Sequence, residues 1–243
     1  MTDRAAILQG RPRLVQEARD LMRATGWLSH CPPDMQDAVL EIAIIRTAGS
    51  GMEFVRGEEV RGGLFGIARG SAELCFPSGH PDTRAIHLVH AGFWAGYKCL
   101  IGQPRYVSLV ARSEVLWALV PISALERLLA QNPEWWRFIL IMADELINDL
   151  VSGFADSTRH DSRARACATL LRLAACRYSD PPDGAEPDLR LSQADLAAMA
   201  VMSRNTFNGI VGELVERGLV ELGYRSIRLR NTAALRAIVR AEE

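Results

Sequence analysis

Leu191-Ser192-Gln193-Ala194-Asp195-Leu196-Ala197-Ala198-Met199-Ala200, followed by Val201-Met202-Ser203-Arg204-Asn205-Thr206-Phe207-Asn208-Gly209-Ile210-Val211, decides how the carboxyl-terminal region folds. Ser192 and Asp195 stand at capping-box spacing, the aspartate a shorter substitute for the usual glutamate, so a helix starts at Ser192. Ser203 is a second cap. Behind it Phe207, Ile210, Val211 and Leu214 recur at i, i+3, i+4 and i+7, the stripe of a second amphipathic helix. So short a turn forces the two helices to cross steeply, which sets Arg204, Asn205, Thr206 and Asn208 on the outward first turns of the second one.

These side chains suit nucleic acid. Arginine bonds guanine in bidentate fashion, asparagine does the same to adenine, and threonine reaches a phosphate or a thymine methyl. The first turns of a recognition helix are where such groups enter the major groove, and its N-terminus favours a nearby phosphate. Gly218 ends the helix, and Leu219–Leu222, a turn at Gly223–Arg225 and Ser226–Arg230 read as strand, turn and strand, a wing. Alternation sets Ile227 and Leu229 on one face and Arg228 and Arg230 on the other, along a DNA backbone. Between Leu189 and Arg240 stand eight arginines against Asp195, Glu213, Glu216 and Glu221.

That excess is local. Over 243 residues, Lys+Arg 28 against Asp+Glu 29 gives a net charge of -1, so the chain as a whole is no polyanion binder. Lys98 is its one lysine, and every other basic residue is an arginine, whose planar fork suits phosphate and guanine edges. At 49% hydrophobic and 23% charged the composition is globular, which excludes disorder and collagen. The five cysteines, Cys31, Cys75, Cys99, Cys167 and Cys176, are scattered without a C-x-x-C pair and fit a reducing cytoplasm. No apolar run approaches the roughly 20 residues a membrane span needs, so a cytoplasmic protein without a membrane partner is expected.

Toward the amino terminus the texture changes twice. Gln16–Arg46 holds helical stretches broken at Cys31-Pro32-Pro33, with Asp34 capping Met35–Ile45. Gly49–Gly102 contains 11 of the 19 glycines between short apolar runs, and Val107–Val110 and Val115–Val120 add two more, a spacing that predicts a small barrel or jelly roll. Pro121–Gln131 reads as a short helix, and Pro133 opens a long one in which Trp135, Ile139, Met142, Leu146 and Leu150 form an apolar stripe. That stripe packs either on its own barrel or on its copy in a homodimer. Beyond Gly153, Asp161-Ser162-Arg163 opens a helix to about Tyr178, and an acidic, proline-rich loop spans Ser179–Asp188.

A glycine-punctuated barrel, a long helix, then Gln193-Ala194-Asp195-Leu196-Ala197, Ser203-Arg204-Asn205-Thr206-Phe207 and Glu213-Leu214-Val215-Glu216-Arg217-Gly218-Leu219-Val220 resemble the Crp/Fnr family of bacterial transcription regulators over roughly residues 27 to 235. Phe65–Leu74 is similar to a β-hairpin of that family and Val89–Gly96 to the approach to its ligand cassette. The resemblance implies an α+β chain: a jelly-roll sensor like a cyclic-nucleotide-binding domain over 1–131, a dimerisation helix and hinge over 132–158, and a winged helix-turn-helix over 159–243. It implies a non-enzymatic homodimer on a near-palindromic double-stranded DNA operator, with RNA polymerase as a further partner. Expected DNA contacts are Ser192, Gln193, Ser203, Arg204, Asn205, Thr206, Asn208, Arg225 and Arg228. Of these, Arg204, Asn205 and Asn208 read bases, while Ser203 and Thr206 hold phosphates. Gly209 stands where the family often has a second arginine, which predicts an operator other than the usual TGTGA-type half-site.

Gly96, Tyr97, Arg105 and Tyr106 are the residues that the resemblance brings to the effector pocket. Members that bind cyclic AMP use a Gly-Glu pair for the ribose and an Arg-Ser pair for the phosphate. Here Tyr97 follows Gly96 and Tyr106 follows Arg105, so cyclic AMP in the usual pose is not expected and the effector stays unknown. Cys31 alone near the amino terminus cannot hold an iron–sulfur cluster. His80, His87 and His90 are the candidates for a metal, yet His87 and His90 fall on opposite faces of a continuing strand. Two other readings are a metal-dependent, cupin-like barrel enzyme and a signalling module independent of DNA. The first lacks a nucleophile elbow, a phosphate-cradling loop and clustered metal ligands. Salt-dependent affinity for duplex DNA separates the second from a regulator.

Overall fold

A computed structural model describes residues 6–7, 11–59, 62–77, 85–178, 180–181 and 185–241. Proline marks where the first helices begin: Pro12 opens α1 (Pro12–Ala24) and Pro33 opens α2 (Pro33–Ile42), first-turn positions where a missing N–H costs no intrahelical bond. The Asp34 carboxylate accepts from the Met35 N–H at 2.9 Å. The helix expected to run to Ile45 stops at Ile42. Ile44–Ala48 is a strand instead, since β-branched Ile44, Ile45 and Thr47 fit a pleated surface once a neighbouring strand is available.

Among the described residues nine strands form two antiparallel sheets: β1 (Ala6–Ile7), β2 (Ile44–Ala48), β3 (Glu53–Val55), β4 (Gly63–Arg69), β5 (Ser71–Cys75), β6 (Ala85–His90), β7 (Trp94–Ala95), β8 (Ser108–Ala111) and β9 (Val115–Pro121). The first sheet runs β1-β2-β9-β4-β7 and the second β3-β8-β5-β6. Alternation along β4 and β9 gives the first sheet two buried faces. Phe65, Ile67, Val115 and Trp117 meet Val55, Ala72, Val89 and Leu109 of the second sheet. Leu64, Ala68, Leu116, Ala118 and Val120 meet the helices outside. Strands buried on both sides read as unbroken apolar runs, which is how β4 and β9 look in the sequence. This is the jelly roll the glycine spacing predicted.

The helix-side core takes in α1, α2, a 3-10 turn at Trp27–His30, α3 (Ile122–Gln131) and the start of α4 (Trp136–Ser157), which a 3-10 turn at Pro133–Trp135 leads in. Trp27 fixes α4 by donating its Nε1–H to the Phe138 carbonyl at 2.5 Å. Trp135, Ile139 and Met142 are 5%, 3% and 0% exposed in this core, and Leu146 packs against it. Of the two partners open to the stripe, these four therefore take their own barrel. Leu150, counted with them, is exposed. A second row, offset by one residue, stays exposed along α4: Trp136, Leu140, Ile147, Leu150 and Phe154, with Ala143 completing a heptad rhythm of fours and threes.

The chain separates into two compact units, Met1–Ile147 and Asn148–Glu243, and the division falls inside α4. In the second unit Asp161 caps α5 (Ser162–Leu173), its carboxylate accepting from the Arg163 and Ala164 N–H groups. α5 stops at Leu173, short of the expected Tyr178, because the backbone turns left-handed at Ala175. Next come β10 (Asp188–Leu189), α6 (Gln193–Met199), α7 (Arg204–Glu216), β11 (Val220–Gly223), β12 (Ser226–Leu229) and α8 (Thr232–Arg240), the strands pairing as β10-β12-β11. α8 packs on α5, burying Leu235 and Val239. Asn231 caps it by accepting from the Ala234 N–H at 2.9 Å. No helix among the described residues is long and apolar enough to cross a membrane.

Candidate nucleic-acid interface

Side-chain caps build both helices of the crossed pair. The Ser192 hydroxyl accepts from the Asp195 N–H at 3.1 Å while the Asp195 carboxylate accepts from the Ser192 N–H at 3.3 Å, the reciprocal box that starts α6. Ser203 accepts from the Thr206 N–H at 3.1 Å and starts α7. Phe207, Ile210, Val211 and Leu214 are buried, so the opposite face of α7 is turned outward. Arg204 and Asn205 are exposed on its first turn, with no side-chain hydrogen bond or ion pair among the described residues. Thr206 is exposed and shares a 2.8 Å hydroxyl contact with Ser203. Asn208 is half-buried, and its Oδ1 lacks a partner. The exposed faces at Gly209 and Gly212 are open, since a Cβ at either would meet nothing within 4 Å.

The wing forms as β11 and β12, with Glu221 opposite Arg228 and Gly223 opposite Ser226. Ile227 and Leu229 are buried while Arg228 and Arg230 are exposed, as alternation requires. Arg225 turns the tip in the left-handed region at φ 52, beside Tyr224, which is 95% exposed. The two outward arginines have different fates. Arg228 extends outward, whereas Arg230 is clasped by Glu186 and Glu221, and that clasp holds the Glu186 carboxyl below its ordinary value. The sequence reading aimed Arg230 at a DNA backbone, but its fork is already in use. Ser192 and Gln193, at the start of α6, are half-buried.

Two features of this unit were not read from the sequence. Val201, in the turn between α6 and α7, has φ 51 and is exposed, an unusual conformation for a β-branched residue. Asp156, near the end of α4, is 2% exposed and is faced by Arg159, Arg177 and Arg172 at 3.4, 3.2 and 3.9 Å. Burial lowers the Arg172 pKa and Asp156 opposes the shift. Neither residue belongs to a periodic pattern, so only the strained backbone and the three-dimensional cluster reveal them.

In the first unit the four residues expected at an effector pocket separate. Tyr97 opens a 3-10 turn and packs with the helix-side core. Arg105 is 5% exposed and lies over the Phe65 ring, 5.7 Å from its centroid, on the inter-sheet side. Its Nη1 donates to the Glu59 carboxylate at 2.8 Å. Tyr106 is exposed under the Lys98 ammonium, which lies 3.1 Å from the ring centroid. Gly96 adopts the left-handed conformation against the Gly63 carbonyl, where a Cβ would not fit. These residues do not suit a cyclic nucleotide: no carboxylate follows Gly96, and Arg105 already has an anion.

His87 and His90 are both half-buried on β6, and His80 lies outside the described residues. Among the described residues no three His, Cys, Asp or Glu side chains stand close enough to hold a metal ion. Burial pushes the thiols of Cys31 and Cys167 up to about 12, which suits packing residues that react slowly.

Comparison with known proteins agrees with this architecture. Residues 164–238 match the family described as a Crp-like helix-turn-helix domain, so the second unit carries a helix-turn-helix domain of that family. Solved structures share the fold over most of the chain. A CRP/FNR-family transcriptional regulator from Thermus thermophilus aligns at 19% identity and a TM-score of 0.62, covering 82% of this chain and 100% of its own. The c-di-GMP responsive global regulator CLP of Xanthomonas campestris aligns at 18% and 0.60, covering 82% and 99%. FixK2 from Bradyrhizobium japonicum aligns at 16% and 0.64, covering 81% and 97%. A search of curated proteins finds no match. The Crp/Fnr resemblance read from the sequence is borne out, in the matched domain by sequence and over the remaining chain by fold.

Proposed function

We propose that the protein is a cytoplasmic, homodimeric, sequence-specific transcription regulator of the Crp/Fnr type, acting on a near-palindromic DNA operator and, through it, on RNA polymerase. One observation carries this reading: Arg204 and Asn205 stand unengaged on the first turn of a capped helix, beside a wing that presents Arg225 and Arg228. Inserted in a major groove, Arg204 and Asn205 read base edges, Asn208 adds an amide, and Ser203, Thr206, Ser192 and Gln193 reach phosphates. Each good base contact is worth roughly 1–3 kcal/mol of discrimination. Arg204→Ala is therefore expected to weaken operator binding about 10- to 100-fold while leaving affinity for random duplex nearly unchanged. Equal loss on both, measured at one salt concentration, removes base readout.

Two recognition helices about 34 Å apart are needed for two half-sites, so the reading requires a dimer. The exposed α4 row supports one: Trp136, Leu140, Ile147, Leu150 and Phe154 leave a single-sided apolar seam uncovered, and a second copy of the seam covers it by knobs-into-holes packing. Leu140→Glu with Ile147→Glu is expected to give a folded monomer that no longer binds a two-half-site operator, as sedimentation and gel-shift measurements will report. A variant that stays dimeric shifts the interface elsewhere.

A further inference from the structure

The three arginines of the wing have different surroundings. Arg230 is clasped by Glu186 and Glu221, and Arg228 stands in register between Asp188 of β10 and Glu221 of β11. Arg225 has no acidic residue across from it. Gly223 pairs with Ser226 and closes the hairpin, which leaves Tyr224 and Arg225 as an exposed two-residue turn. Neither side chain makes a hydrogen bond or ion pair among the described residues. The unneutralised charge of the wing is therefore gathered at its tip.

Both tip residues are poor choices for folding alone. Arg225 has φ 52, and a left-handed position in so tight a turn favours glycine, which has no Cβ to clash. Tyr224 is 95% exposed and adds nothing to the core. Two local rules broken at one exposed point indicate residues kept for a contact made outside the fold. The chemistry of the pair narrows that contact. A guanidinium is drawn into a narrow minor groove, where A·T tracts deepen the negative potential. A tyrosine offers an apolar body to the deoxyribose walls and a hydroxyl to a phosphate at the rim. A phosphate contact alone would use the arginine and leave the ring without a role. The reach is adequate. Val220–Gly223 spans four residues, about 13 Å at roughly 3.3 Å per residue, and a minor groove lies about half a turn, roughly 17 Å, from the middle of the major groove assigned to α7. The extended arginine side chain supplies the remainder.

We propose that Tyr224 and Arg225 form a second reading element, which enters the minor groove beside each half-site and senses its width. Base pairs that α7 never touches then contribute to operator choice. This inference rests on the DNA-binding reading above.

The test uses a duplex whose two half-sites are selected from a random pool and then rebuilt with the base pairs on both sides of each half-site all A·T or all G·C. Full-length wild type, Tyr224→Ala and Arg225→Gly are compared on both duplexes by gel shift at one salt concentration. Wild type is expected to favour the A·T flanks about fivefold or more. Arg225→Gly is expected to melt at or above the wild-type temperature, since glycine accepts the left-handed turn, and yet to lose most of that preference. Tyr224→Ala, at a position outside the core, reduces the preference without lowering the melting temperature. Equal wild-type affinity for the two flanks overturns the proposal, as does a preference that survives both substitutions. An equal loss on both flanks with a shallower salt dependence also overturns it, because the tip is then a phosphate contact only. A wild type that binds no duplex removes the regulator reading together with this one, whereas flank-independent binding that still needs Arg204 removes this one alone.

Discussion

Arg105 in the first unit and Asp156 in the second are both buried charges, yet the arginine is met by one half-exposed carboxylate and the carboxylate by three arginines that are themselves 10–15% exposed. The difference separates a contact that can open from one that cannot. Glu59 leaves its partner by rotating into water it already touches. Asp156 has no such exit, and its arginines come from the turn after α4, from α5 and from the chain beyond α5. Removing one member of a closed cluster strands the others, which is why buried pairs cost far more to break than their net attraction suggests. Asp156 therefore ties the last turns of α4 to the helix-turn-helix domain. The segment 132–158, expected from the sequence to be dimerisation helix and hinge, ends at that tie.

Three substitutions probe this contrast. The largest effect is expected from Asp156→Ala, which leaves three arginines facing one another and lowers unfolding stability by about 3–5 kcal/mol, read from the urea midpoint. A loss below about 1 kcal/mol makes the cluster a surface network despite its burial. Glu59→Gln comes next, at about 1–2 kcal/mol by the same measurement, reduced because the lost acceptor is half in water. The smallest effect has the opposite sign. Val201 and Glu58 are both left-handed without being glycine, but the Glu58 N–H is bonded to Arg105 whereas Val201 is an exposed turn residue. Relieving Val201 is expected to stabilise the protein, by about 1 kcal/mol for Val201→Gly after allowing for the extra freedom glycine gives the unfolded chain. No gain in midpoint shows that the turn is held by something the side chain itself supplies.

What was legible in the sequence was local. Ser192 with Asp195, Ser203 with Thr206, and the stripe from Phe207 to Leu214 act within a few residues of one another, and the crossed helices formed where they indicated. The wing followed from alternation for the same reason. Along α4 two apolar rows one residue apart carry similar periodicity, so spacing did not decide that Trp135, Ile139 and Met142 would face the barrel while Leu140, Leu150 and Phe154 stayed outside. That choice is made by Trp27, more than a hundred residues away, bonding to Phe138. The Ile44–Ala48 strand likewise exists because β9 lies alongside it. Arg230 was read as a free wing cation because Glu186, which clasps it, comes from a loop with no regular pattern. α8 had a usable signal in Asn231 followed by Leu235 and Val239, a cap and two turns of apolar spacing.

Lys98 has a practical consequence. A chain with one lysine has one internal primary amine, and this one lies over the exposed Tyr106 ring on the residue next to Arg105. An amine-reactive fluorophore at neutral pH will partition between the terminal amine and this position alone, so subtracting the terminal signal yields a dye at a known spot on the barrel. Cleavage on the carboxyl side of lysine likewise cuts the polypeptide once, at Lys98-Cys99, and its rate reports how often that turn opens.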